Sequence, residues 1–156
     1  MRLHHSWSVV AVACALVSTS LAPEVRADSD VLGGVRLGYY ADAGRPFVGG
    51  ELLFRIAPSV YFNPNLEVVL KSDSYLTFNA DVHYDFPHRG RTMTWLGAGL
   101  GFVSINPPGP AEGHTDPALN LVFGVGVRDH GIIPYVQAKL IAKQNSEFSI
   151  AFGARF

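Results

Sequence analysis

Apolar and polar residues take turns along most of this chain, from about residue 31 to the last one. Side chains on a β-strand point to opposite faces in succession, so the alternation predicts strands with one greasy face and one polar or small face. The stretch 75–86 is the cleanest: Leu76, Phe78, Ala80, Val82, Tyr84 and Phe86 oppose Tyr75, Thr77, Asn79, Asp81, His83 and Asp85. The final stretch, 147–156, sets Phe148, Ile150, Phe152, Ala154 and Phe156 against Glu147, Ser149, Ala151, Gly153 and Arg155. Six more strands are predicted at 31–40, 47–56, 59–70, 92–104, 118–128 and 132–143, separated by Gly-, Pro-, Asn- and Asp-rich turns. Pro64 interrupts the third strand; it cannot donate to a ladder, so a bulge or kink is expected there. Gly97, Gly99 and Gly101 share one face of the fifth, leaving room for large neighbours or letting the wall bend. The connection 105–117 holds four prolines and two glycines and is expected to be an irregular loop.

Eight strands of about 10–13 residues suit a tilted membrane strand, which needs roughly 9–11, better than a globular one, which averages about 5–6. The charges test this. Arg36, Arg55, Arg128, Lys139, Lys143 and Arg155, with Glu51, Glu67, Asp81, Asp85 and Glu147, all fall opposite the apolar stripe. A charge facing lipid at midplane costs about 2–4 kcal/mol, so a membrane barrel keeps such residues inside. A soluble lipid-binding barrel has the reverse arrangement, and alternation alone does not choose between them. The choice falls on the membrane barrel for three reasons: the apolar face is nearly free of Ser, Asn and charge, the other face is Gly-rich, and the last strand ends on Phe156. The expected fold is all-β: an eight-stranded antiparallel up-and-down transmembrane β-barrel formed by one chain as a monomer.

The N-terminus reads differently. Arg2, His4 and His5 precede a short apolar run that contains Cys14, and a small-residue site precedes Asp28. This predicts a cleavable signal peptide over 1–27 and a barrel domain over 28–156. Cleavage would lower Lys+Arg from 12 to 10 and Asp+Glu from 13 to 12, a net charge of −2, with no thiol left. No nucleic-acid partner is expected from that balance.

The alternating terminal strand and the segments 61–65 (YFNPN) and 79–85 (NADVHYD) resemble the small outer-membrane barrels of the OmpA/OmpX type, a porin-like family. The resemblance spans about 31–156. It implies export to the bacterial outer membrane, contact with its lipid, and reading of Phe148, Ile150, Phe152 and Phe156 by the barrel-assembly machinery. Turns at 57–58, 87–91 and 129–131 would be periplasmic, and 105–117 would be the site for an extracellular partner.

Eight strands leave an interior that side chains can fill. Arg36, Glu51, Arg55, Glu67, Asp81, His83, Asp85, Lys139 and Arg155 are expected there as a paired plug, since buried charges persist only when partnered. His83 between Asp81 and Asp85 invites a metal or catalytic reading, but neither thiolate nor further imidazole stands near, and a polar network is expected instead. No cofactor, metal or catalytic residue is assigned. A rival reading is a membrane enzyme acting on lipid; a second is a soluble periplasmic lipid-binding barrel with reversed faces.

Phe156→Ala separates assembly from stability. Spontaneous refolding into detergent should stay near wild type, because a ring at the interface loses little on truncation. Insertion in cells should fall and periplasmic proteolysis rise. Equal loss in both assays would reduce Phe156 to a packing residue.

Overall fold

The computed structural model describes residues 31–70, 74–87, 90–106 and 114–156. The proposed signal peptide, with Cys14, lies outside the described residues, as does 107–113. The strands are β1 (Val31–Tyr40), β2 (Arg45–Ala57), β3 (Val60–Val69), β4 (Ser74–Asp85), β5 (Thr92–Asn106), β6 (His114–Val127), β7 (Ile133–Ala142) and β8 (Glu147–Arg155). Each pairs antiparallel with the next, and β1 pairs with β8, closing an eight-stranded up-and-down barrel. β1 starts and β8 finishes at the same end, called the terminal end below; the connections after β1, β3, β5 and β7 lie at the other, the loop end.

Two departures from the expected strands have the same cause, the direction in which a proline nitrogen points. β6 begins four residues earlier than expected, at His114, and pairs Ile105 with His114 through Phe102 with Pro117. The β5–β6 ladder bonds even-numbered β6 residues, as the Arg128 N–H to Arg91 C=O bond shows. Pro117 therefore points its nitrogen away from β5, toward a side where the β7 pairing has already ended at Leu119 and Ala142. No ladder bond is lost, so the expected loop 105–117 shortens.

The second departure is at Pro64. It causes no register shift: Pro64 pairs with Ala80, and the β2–β3 register is the same on either side of it. The Leu70 N–H bond to Pro46 C=O places Leu52 and Pro64 on a hydrogen-bonded rung. Pro64 cannot make that bond, and the Asn63 side-chain amide supplies a donor to Leu52 C=O at 3.0 Å instead. The bulge sits at Arg55–Ala57, beside the tight turn into β3, where Ser59 takes a positive φ of 62°.

The faces are sharply divided. Leu37, Leu119, Leu121 and Phe152 are typical of the outer surface, each more than half exposed. The interior is layered. Near the loop end Tyr40, Phe47, Val69, Val103, Ala118, Ile141 and Ala151 form an apolar cluster. Charged and amide side chains fill the middle. Trp95, Val122 and Tyr135 form a second apolar layer toward the terminal end. A greasy-lined cavity with a polar exterior, as the reversed-face reading requires, is not the arrangement of this chain.

Inward glycines make the layers possible. A Cβ on Gly124 would overlap the Trp95 indole, one on Gly153 the Tyr135 ring, and one on Gly38 the Phe47 ring. The inner wall is thus smooth where a large ring crosses it. Gly124→Val should destabilise the barrel by about 1–3 kcal/mol through overpacking. In urea titrations of the refolded protein, Trp95→Leu should recover part of that loss, and additivity of the two changes would show that Gly124 and Trp95 do not meet.

Candidate functional site in the barrel lumen

Strand period decides who enters the lumen, and register decides who meets. Glu51 on β2 and Glu67 on β3 are the two anionic centres. Arg155 on β8 reaches Glu51 with Nε at 2.8 Å from Oε1 and Nη2 at 3.4 Å from Oε2. Asn63 donates to the same Oε2 at 2.9 Å. Lys139 on β7 crosses the lumen to Glu67, Nζ to Oε1 at 2.8 Å, and the Tyr40 hydroxyl donates to Oε2. Arg36 lies between, with Nη2 3.2 Å from Glu67 and Nη1 3.9 Å from Glu51. Its contacts are ionic: none of its guanidinium nitrogens meets a carboxylate with hydrogen-bond geometry.

Asp81 belongs to a different group. Its two oxygens accept from the amides of Asn65 and Asn120, each at 2.9 Å. Asn120 also donates to Asn79 and Asn79 to Asn65, again at 2.9 Å. This amide chain joins the ion pairs through Lys139, 3.5 Å from Asn65 Oδ1. Three cations (Arg36, Lys139, Arg155) and three anions (Glu51, Glu67, Asp81) share the middle of the lumen, each no more than 4% exposed.

Arg155 has a second set of partners. Its guanidinium lies 4.4 Å from the Trp95 ring centroid and 4.5 Å from that of Tyr135, within cation–π range. Trp95 is held by an Nε1 bond to Gln137 at 3.2 Å and by edge-on contact with Tyr135, centroids 5.7 Å apart. His83 stacks on Tyr61 at 5.6 Å and lies 5.9 Å from Trp95. Its Nε2 stands 3.3 Å from Asp85 Oδ1 without hydrogen-bond geometry, and the two lie side by side near the terminal end.

The structure therefore brings together Arg36, Glu51, Glu67, Asp81, Lys139 and Arg155, and sets His83 and Asp85 beside them. Arg55 is the correction. It is exposed, with its guanidinium 5.8 Å from the Tyr61 ring, because it stands at the terminal end of β2, beyond the buried layers of the lumen. Arg128 and Lys143 lie just past the ends of β6 and β7. Residues not anticipated carry much of the site: Asn63, Asn65, Asn79, Asn120, Gln137, Tyr40, Tyr135 and Trp95. Their inward parity was readable, and a short β3–β4 turn would have set Asn65 opposite Asn79 and Asn63 opposite Asp81, as observed. Phe148, Ile150 and Phe152 face outward, while Phe156 exchanges backbone bonds with Gly33 at 2.9 and 3.0 Å.

No family model matches the chain, and no curated protein matches it. Solved structures do match. The N-terminal β-barrel domain of Pseudomonas aeruginosa OprF superposes with a TM-score of 0.67 at 14% identity, over 81% of this chain and 95% of that one. The fold is that of the small outer-membrane β-barrels. Neisserial surface protein A is similar too, with a TM-score of 0.59 and 17% identity over 80% of this chain and 94% of that one. So is the outer membrane enzyme PagL, at 0.52 and 13% over 80% and 98%.

An outer-membrane-type barrel with this interior makes unequal demands on its charges. Arg155→Met leaves Glu51 without its nearest cation and should destabilise by about 3–5 kcal/mol. Adding Glu51→Leu should restore much of that. Arg55→Ala should leave the unfolding midpoint unchanged. Denaturant unfolding in detergent micelles checks all three, and an Arg155→Met protein as stable as wild type would show the lumen to be solvated.

Proposed function

We propose that this protein is a non-enzymatic integral protein of the bacterial outer membrane, with a structural or surface-interaction role and a lumen plugged by its own charges. One observation carries the reading: apolar side chains cover the outside of a closed barrel while acids, bases and amides fill its middle. Water favours the opposite distribution, and lipid favours this one. Closed strands also leave no unpaired backbone edge to face hydrocarbon. The structural neighbours, outer-membrane barrels, support the same location.

Export by a signal peptide over 1–27, and reading of the outward residues Phe148, Ile150, Phe152 and Phe156 by the assembly machinery, complete the proposal. An extracellular partner is assigned to the connection 105–117, of which 107–113 lie outside the described residues. The rival, an enzyme acting on lipid, takes its support from PagL among the neighbours. Incubation of the folded barrel with lipid A and mass analysis of the product tests it; a shortened or deacylated product would replace the non-enzymatic reading.

Two measurements test the location and the plug. The protein should stay with membranes through carbonate and urea washes, and should migrate differently on a gel before and after boiling. Planar-bilayer recordings should show no large steady conductance. Release by the washes would remove the membrane reading, and steady large currents would remove the plug.

A further inference from the structure

His83 and Asp85 are the buried titratable neighbours that the mid-lumen network leaves out. They occupy consecutive inward positions of β4 toward the terminal end, 2% and 8% exposed. Nε2 of His83 stands 3.3 Å from Oδ1 of Asp85, yet neither atom has a hydrogen-bond partner among the described residues. Buried polar atoms left unmet cost free energy, so two of them this close together form an incomplete contact. One proton completes it. A protonated imidazole donates from both ring nitrogens, and a carboxylate accepts.

The groups around His83 leave Asp85 as its ionic partner. On the same strand, Asp81 is committed to the amides of Asn65 and Asn120. From β3, Tyr61 stacks on the imidazole at 5.6 Å, and Arg55 of β2 lies over Tyr61 in turn. From β5, Gly97 leaves room where a Cβ would overlap that of His83, and the Trp95 ring stands 5.9 Å away. Beyond Trp95 lie Tyr135 of β7 and Arg155 of β8, and Arg155 is bonded to Glu51. The backbone is pinned on both sides: Asp85 N–H donates to Ser59 C=O at 2.8 Å and Phe86 N–H to Thr94 C=O at 2.9 Å. Only the two side chains need to turn to make the bond.

We propose that His83 is a proton-operated latch at the terminal end of the lumen. With the imidazole neutral, the contact with Asp85 stays unmade and that end of the lumen can loosen. With the imidazole protonated, Nε2–H donates to Asp85 Oδ1, and the cation is flanked by the rings of Tyr61 and Trp95. That ties β3, β4 and β5 together below the ionic layer. The proton comes from solvent, and imidazole changes charge between about pH 5 and 8. The plug is then tightest in mild acid.

Acrylamide quenching of Trp95 tests this, because the indole is fully buried, 0% exposed, and a quencher reaches it only when its surroundings open. Trp7→Phe removes the other tryptophan. In detergent-folded Trp7→Phe protein, the quenching constant should fall about tenfold from about pH 8 to about pH 5, as a charge-assisted hydrogen bond implies. His83→Gln should give one constant across that range, and Asp85→Asn should lose most of the fall. His130→Gln, whose ring is exposed, should keep all of it. A constant independent of pH in the Trp7→Phe protein overturns the latch and leaves the plugged membrane barrel standing. An undiminished fall in His83→Gln also overturns it. Should the His83 and Asp85 variants fail to fold, the sign of the change in the Trp7→Phe protein decides: quenching that grows in acid overturns the proposal.

Discussion

A charge left alone inside an eight-stranded barrel, whose interior is just wide enough for side chains, would cost several kcal/mol. The rest of this structure follows from meeting that constraint. All three mid-lumen acids come from consecutive strands, Glu51 on β2, Glu67 on β3 and Asp81 on β4. All three mid-lumen bases come from the other side of the seam or from β1: Lys139 on β7, Arg155 on β8 and Arg36 on β1. The Arg155–Glu51 bond joins residues 104 apart in sequence, and the Lys139–Glu67 bond residues 72 apart. Such contacts form only when the chain has nearly closed. The ion pairs therefore staple the barrel across its closing seam as well as filling it.

The staple depends on its surroundings. Arg155 lies over the rings of Trp95 and Tyr135, and those rings fit only because Gly124 and Gly153 present no side chain. Asp81 has no cation within ion-pair distance among the described residues; two asparagine amides take its charge instead, which orients the carboxylate and passes its field along to Lys139. Apolar layers lie above and below the ionic one, and burial between them strengthens each electrostatic contact within it. A lumen filled in this way suits a barrel that holds its shape in a membrane and presents its ends to partners, the role proposed here.

The terminal end shows what such charges do where burial is absent. Arg91 and Asp129 pair there, Nη2 to Oδ1 at 3.2 Å, with both side chains exposed. Burial separates the two groups: the interior set depends on its neighbours in the fold, and the rim pair is screened by solvent and contributes little.

Much of this was legible from sequence. Period-two alternation determined the strand number and which face each residue takes, because a strand offers only two faces, while the up-and-down order was implied by the resemblance to small outer-membrane barrels. Alternation therefore placed Arg36, Glu51, Glu67, Asp81, His83, Asp85, Lys139 and Arg155 on the inside. Composition favoured lipid on the outside, since the apolar face lacks charge along its whole length. The partners were another matter. Which acid meets which base depends on register and on strand tilt around the barrel, and both are properties of the closed sheet. Pro64 could not be judged without knowing that Asn63 replaces its missing donor, nor Pro117 without knowing where β7 stops. Arg55 kept the inward parity and still ended exposed, because it stands at the terminal end of β2, past the buried layers, where its guanidinium meets the Tyr61 ring. Local pattern decided direction, and only closure of the barrel decided contact, because each lumen bond joins residues that alternation relates to their own strand and not to each other.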